Sequence, residues 1–369
     1  MEKDKLSKIT IRGYKSIAYD HPVELRLQDV TLLLGANGSG KSNILSFFKM
    51  LSAVAHQNLQ QHTEMAGTTQ AVLHHGAKCT PQLEATIEGE SASRLEHYEM
   101  LLRSDANDRF VIAAEALGVT SPTSEALLPS LEMKDVRESG LLTEAYAHDY
   151  SLVQRLRNIR YYQFHDTSTH APLRTACPED GADYLLSDGS NIAAFLLLLR
   201  EQYPFNYARI VDYVRWVMPQ FRDFYLVPRH GYVRLQWLDT SGTDYVFSAH
   251  HLSDGSLRFI ALATVLLQPA ELMPKLLLLD EPELGLHPWA VDQLAFLLEN
   301  GTLHTQILLA TQSKELIDHF EPEQVAVVDY QEEHHASTLT HFTEEELRLW
   351  LEDYTLSELW DKNIIGGRP

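Results

Sequence analysis

The sequence is poor in cysteine, in basic residues and in long apolar runs, and each shortage excludes something. Its two cysteines, Cys79 and Cys177, are far apart and in no metal-ligand spacing. That excludes a disulfide framework and fits a reducing cytoplasm. No apolar run approaches the length of a membrane span; Phe195 to Leu199 is far too short. Any transport role would need separate membrane subunits. Residues 1–8 are charged, so no signal peptide opens the chain. Lysine and arginine number 30 against 51 acidic residues, for a net charge of −21. This argues against a generally basic, DNA-coating surface and leaves room for a local basic groove only. The nearest cluster is Arg155, Arg157 and Arg160, which also reads as a solvated helix face. Internal repeats are missing, and no heptad run is sustained enough for a coiled-coil arm. Among the 18 histidines, the pairs His74-His75, His250-His251 and His334-His335 are adjacent in sequence. Neighbours on a strand point to opposite faces, so no pair is a natural chelate, and no transition-metal site is expected.

What is present is enough for one large or two modest domains: 369 residues, 44% of them apolar. The chain is organised around residues 32–45. Val30, Leu32, Leu33 and Leu34 read as a buried strand. From Asn43 on, Ile44, Leu45, Phe47, Phe48 and Leu51 mark the apolar side of a helix. Between them lies G-x-x-x-x-G-K-S, from Gly35 to Ser42. A glycine-rich turn from strand to helix gathers backbone N–H groups around phosphates, and the helix N-terminus adds partial positive charge. Asn37, Gly38, Ser39 and Gly40 form the cradle. Lys41 is placed to reach the β- and γ-phosphates, and Ser42 to hold Mg²⁺.

Short strands are expected at residues 8–11 and 23–27. The loop Arg12-Gly13-Tyr14-Lys15-Ser16 between them either lies over the adenine, with Arg12 or Lys15 near the phosphates, or is a plain surface loop. Residues 43–66 should be helical, and 83–87, 98–103 and 109–116 should form a meander. Residues 118–130 are rich in Ser, Thr and Pro and read as a loop. Residues 138–154 read as a helix. The alternation in residues 160–168 predicts a strand running into a loop, where Gln163 or His165 can sense Mg²⁺ or the attacking water. Ser253 is placed to cap a helix carrying Leu257, Ile260, Leu262, Val265 and Leu266, which makes a second anion site. With one phosphate site already present, a second serves the same phosphates only from another subunit. A four-leucine strand then ends in Asp280-Glu281-Pro282-Glu283. Asp280 can hold Mg²⁺ through water, and Glu281 can polarise the attacking water. A later buried strand, 306–310, ends in Thr311-Gln312-Ser313, where Gln312 can face the γ-phosphate. The tail, 344–360, should cover the core, and the Gly-rich 363–369 should be flexible.

Together these pieces resemble an ABC-type ATPase of the SMC/RecF branch. More closely, they resemble the stand-alone bacterial AAA-family ATPases related to RecF and to the ATPase half of OLD nucleases. GANGSGKS at 35–42, LSDGS at 252–256, LLLLDEPELGLHP at 276–288 and ATQS at 310–313 occur in that family's order. The resemblance implies an α/β head with a mixed core sheet, an antiparallel β subdomain and a helical lobe bearing the signature. It implies one head over 1–369, with an N-terminal lobe at 1–185 and a C-terminal lobe at 186–369. It also implies ATP and Mg²⁺ as cofactors, and a homodimer or higher even oligomer. ATP would lie between the phosphate loop of one subunit and Ser253, Asp254 and Gly255 of the other. Two departures bear on rate. Asp254 and Ser256 replace a glycine and a glutamine of the usual signature, and Gln312 replaces the switch histidine. Slow or partner-dependent hydrolysis is the expectation.

Two functions fit. One is an ATP-driven dimerising switch acting on nucleic acid, in repair or in defence against phage and mobile DNA. The other is a nucleotide-gated scaffold that holds a separate effector, such as a nuclease or toxin, without binding DNA itself. No second catalytic constellation is visible, so nuclease activity would come from a partner. A transporter subunit fits less well, because the stretch between phosphate loop and signature is too long for a simple cassette.

Overall fold

The computed structural model describes residues 4–91, 94–121, 124–142, 150–301 and 305–368. In chain order its strands are β1 (Lys5–Arg12), β2 (Val23–Arg26), β3 (Val30–Leu34), β4 (Gln82–Ser91), β5 (Arg94–Ser104), β6 (Phe110–Ser121) and β7 (Ser124–Met133). Next come β8 (Ile159–Tyr162), β9 (Cys177–Pro178), β10 (Phe221–Phe224), β11 (Tyr232–Val233), β12 (Gln236–Asp239) and β13 (Phe247–Ser248). The last are β14 (Leu276–Asp280), β15 (Gln306–Thr311), β16 (Val325–Gln331) and β17 (Ala336–His341). The chain forms two units. The first holds Met1–Ile159, Leu308–Gln312 and Phe320–Pro369, and the second holds Arg160–Ile307 and Ser313–His319.

In the first unit, β2-β1-β4-β5-β6-β7 make an antiparallel sheet. A second sheet pairs β16 with β3 in parallel and with β17 antiparallel, so it is mixed. All five residues of β3 are buried, as a strand covered on both faces requires. The helix Lys41–Ala55 follows, burying Ile44, Leu45, Phe47, Phe48, Met50 and Leu51. Each such side chain contributes about 1.5–3 kcal/mol of burial, which fixes the helix and the turn before it. The helix Ser151–Arg157 is capped from outside its own segment: the buried Glu96 carboxylate accepts the Leu152 amide at 2.6 Å and the Ser151 amide at 3.2 Å.

Three local expectations change. Residues 118–130 are not a loop within the described residues, because β6 runs to Ser121 and β7 starts at Ser124. Pro129 lies opposite Gly118 on β7, the last strand of the sheet, and edge strands accept proline. Residues 138–154 are not one helix: a 3-10 turn at Gly140–Leu142 and the helix from Ser151 are described, and 143–149 lie outside the described residues. The turn is anchored by the buried Glu115, which accepts from Tyr98 at 2.7 Å and from the Gly140 amide at 2.9 Å. Residues 363–368 are not free: the Ile364 amide donates to Leu359 O and the Ala36 amide to Gly367 O, both at 2.9 Å. Pro369 lies outside the described residues.

The second unit is mainly helical. Helices Ile192–Gln202, Pro204–Val217, Asp254–Leu266 and Pro288–Gly301 surround small antiparallel pairings, β10-β12-β13 and β9-β11. β14 is buried throughout. Ser253 caps the helix Asp254–Leu266, its hydroxyl accepting the Ser256 amide at 3.1 Å. Among the described residues no helix is long and apolar enough to cross a membrane.

Candidate phosphate loop, acidic strand end and signature

The phosphate loop lies in the first unit. β3 ends at Leu34, and Gly40 precedes the helix Lys41–Ala55 with φ 111°. A side chain at Gly40 would also stand 2.1 Å from the Ser337 hydroxyl, so both conformation and space demand glycine. The helix has no acidic residue in its first turn and no side-chain cap, so its N-terminal dipole is not offset there. Lys41 is buried, 5% exposed, and its ammonium donates to Gly35 O at 2.6 Å and Ala36 O at 2.9 Å. Ser42 is exposed beside it.

Three residues passed over in the sequence hold this loop. The Ser337 hydroxyl, from β17, is 2.6 Å from Ser39 O and 2.8 Å from the Ser16 hydroxyl. Asn43 Nδ2 donates to Ser16 at 2.8 Å. A serine has one proton to give, so Ser337 serves the carbonyl and Ser16 serves Ser337. Ser16 therefore ties the loop 12–16 to the phosphate loop. Within it, Arg12 Nη1 donates to Tyr19 O at 3.3 Å, and Lys15 Nζ to the Ser46 hydroxyl at 2.9 Å. Burial lowers the Lys15 pKa. Gln312 follows β15 in the same unit.

The second unit carries the acidic strand end and the signature. Asp280 closes β14 at 7% exposure. Its Oδ2 accepts from the Tyr161 hydroxyl at 3.0 Å and from Gln163 Nε2 at 3.4 Å, and His165 Nε2 lies 3.1 Å from its backbone carbonyl. Gln163 and His165 also face each other at 3.2 Å, so both sequence candidates lie beside this residue. Tyr161 was missed; its alternation with Tyr162 reads as ordinary strand. Burial, then the Asp280 charge, pushes its pKa far up, so its proton stays available to the carboxylate. Glu281 has φ 44°, a left-handed backbone at a residue other than glycine, a strain that concentrates at functional sites.

Arg258 binds this region together. Its Nε donates to Phe164 O at 3.0 Å, Nη2 to His165 O at 2.9 Å and Nη1 to Leu284 O at 2.8 Å. A side chain at Gly255 would come within 2.6 Å of Gly285 O, so the signature also touches the loop after the acidic pair directly. Arg174, also missed, fixes the signature from the other side. Its guanidinium donates to Ala249 O and pairs with Asp254 at 3.0 Å. The negative charge at Asp254 is thus answered from within the unit. Arg258→Ala should lower stability by about 2–4 kcal/mol, because charge-assisted bonds to three carbonyls go at once. Arg258→Lys should recover less than half, since one ammonium cannot span the fork. Urea denaturation with equal slopes for the variants would measure both, and an unchanged midpoint for Arg258→Ala would refute the estimate.

Two arginines of the basic cluster are engaged, and Arg157 is half-buried. Arg155 is buried, and Arg160 stacks on Tyr184 at 4.3 Å and donates to Leu272 O.

The family model described as "AAA domain, putative AbiEii toxin, Type IV TA system" matches residues 134–318, half of the chain. The match takes in Gln163, the signature, the acidic pair and Gln312. No curated protein matches the chain. Among solved structures, the chain is similar to an SMC head bound to the C-terminal winged-helix domain of ScpA, with 15% identity and TM-score 0.62. That match covers 92% of this chain and 98% of the other. An SMC head with an extended coiled coil, bound to the C-terminal domain of ScpA from Pyrococcus furiosus, matches at 14% identity and TM-score 0.59. It covers 95% and 99%. At such identity the likeness establishes the fold, a mixed α/β SMC-type head. The chain therefore belongs to the AAA family described as a putative AbiEii toxin of type IV toxin–antitoxin systems, and it has the fold of an SMC head.

Proposed function

We propose that this chain binds ATP with Mg²⁺, hydrolyses it slowly, and uses the cycle to close and open two copies of itself. The observation that carries this reading is the phosphate loop, with a buried lysine held at its mouth by two backbone carbonyls. Carbonyl oxygens are weaker partners for an ammonium than phosphate, so Lys41 can exchange one for the other. The amides of residues 38 and 40–42 and the helix dipole bind the same anion. Ser42 offers a hydroxyl oxygen to Mg²⁺, and Asp280 and Gln163 offer hard oxygens that suit it. The metal, when bound, neutralises charge developing on the phosphates. Tyr161 orients the Asp280 carboxylate. Glu281 accepts a proton from the attacking water, Gln312 serves the γ-phosphate, and Arg12 contributes to nucleotide binding. Ser253 and Gly255 serve the nucleotide held by the partner copy.

The role of the switch is defence against phage or mobile DNA, or DNA repair. The scaffold version, with a separate effector, is favoured over direct DNA binding by one observation: two arginines of the nearest basic cluster are engaged within the protein, Arg155 by burial and Arg160 by Tyr184 and Leu272 O. The family description names a toxin–antitoxin setting, and the SMC heads are bound to ScpA, so a protein partner is part of the proposal.

Light scattering on Glu281→Gln, with and without ATP and Mg²⁺, tests the switch. The mass should double, or rise by an even multiple, only with ATP. A mass that stays at one copy while ATP is bound would refute the trans role of Ser253.

A further inference from the structure

Gly367 reaches across to the phosphate loop. Its carbonyl accepts the Ala36 amide at 2.9 Å. A Cβ on Gly367 would stand 2.5 Å from Val327 Cγ1, 3.4 Å from Trp360 Nε1 and 3.6 Å from Gly35 Cα, and its φ is +74°. The slot therefore accepts glycine alone. The approach is anchored on both sides: Ile365 is buried, and the Arg368 guanidinium donates to Asp361 O. On the loop side, Ala36 O takes both the Lys41 ammonium at 2.9 Å and the Ser39 amide at 3.2 Å. The Ala36 residue thus joins Gly367 to the lysine that the phosphate reading depends on.

We propose that Gly367 is a positioning residue of the phosphate site. It does not meet the phosphates; it holds the Gly35–Ala36 peptide so that Lys41 and the amides of 38 and 40–42 are already oriented when ATP arrives. The proposal rests on the ATP-binding reading above. A glycine-rich loop left free would lose its conformational freedom on binding, and that loss weakens affinity. The contact removes this loss beforehand.

The test compares three variants of the full chain. Gly367→Val places a branched side chain where neither the space nor the φ admits one. A stop codon at position 366 removes the contact without a clash. Gly366→Asn is the control: Gly366 has φ +77° and nothing within 4 Å of an added Cβ, and asparagine tolerates that backbone. Two quantities are read: hydrogen exchange at the Ala36 amide without nucleotide, and Kd for a fluorescent ATP analogue. Loss of one backbone bond should speed exchange, and weaken Kd, by about five- to tenfold in the first two variants. The control should stay within about twofold.

Faster exchange at Ala36 with unchanged Kd would overturn the proposal, because the loop would then be loose and still competent. Unchanged exchange would overturn it too, because the contact would not be restraining Ala36. If the unaltered chain binds no ATP, the nucleotide reading itself has failed and this role falls with it, a result that the wild-type titration separates from the other two. Should Gly367→Val lose its cooperative melting transition, the truncation decides alone.

Discussion

Replacement of Lys41 by methionine should weaken ATP binding by at least about a hundredfold, the equivalent of two charge-assisted hydrogen bonds. Methionine keeps the apolar stem and so preserves the packing of a residue that is 5% exposed. What it removes is the ammonium, now shared between Gly35 O and Ala36 O. In the free protein Gly35 O loses the ammonium and Ala36 O keeps the Ser39 amide, which costs some stability. In the complex the loss is larger, because the β- and γ-phosphates lose a full charge in a partly dry site. Titration with a fluorescent ATP analogue reads the affinity, and thermal melting without nucleotide reads the background. A Kd within threefold of wild type would mean that phosphate binds elsewhere.

Glu281→Gln should lower ATP turnover by about 10²- to 10⁴-fold, the range for removing a general base. Affinity should stay within about threefold, since glutamine preserves the shape of the side chain. The backbone argument makes this a clean substitution. Glu281 already holds φ 44°, and glutamine inherits the same strain. Asp280, its neighbour, remains oriented by Tyr161 and Gln163 in the variant. Phosphate release at saturating ATP and Mg²⁺ gives the rate. A variant retaining more than a tenth of wild-type turnover would move the base to another residue.

The candidate site was legible where its chemistry is contiguous. Eight residues carry the phosphate loop, and two carry the acidic strand end; a buried strand before each and a helix after the first supply the context. Ser253 as a helix cap was legible for the same reason, because its partner is three residues away. The supports were not. Ser16 meets Asn43 and Ser337, and Gly367 meets Ala36, only after folding, and no spacing in the sequence pairs them. Arg258 is a single arginine whose partners are backbone carbonyls, which carry no side-chain signal, and Arg174 adds to such carbonyls one distant carboxylate. The pairing of Asp254 was hidden for a like reason: its partner, Arg174, lies 80 positions away. The misreading of 118–130 has a different cause. Serine, threonine and proline do favour loops, but an edge strand accepts a proline that an inner strand would reject.

The Ser337–Ser39 contact has a consequence in time. The two residues are 298 positions apart. At a synthesis rate of about 5–20 residues per second, the donor emerges roughly fifteen seconds to a minute after the carbonyl it holds. Until β16 and β17 have been made, β3 lacks its parallel neighbour and the loop lacks its clasp. A nascent or stalled chain therefore carries the phosphate-binding residues without the framework that shapes them. On the proposed ATP-binding reading, capture of nucleotide becomes a late event in the life of each molecule.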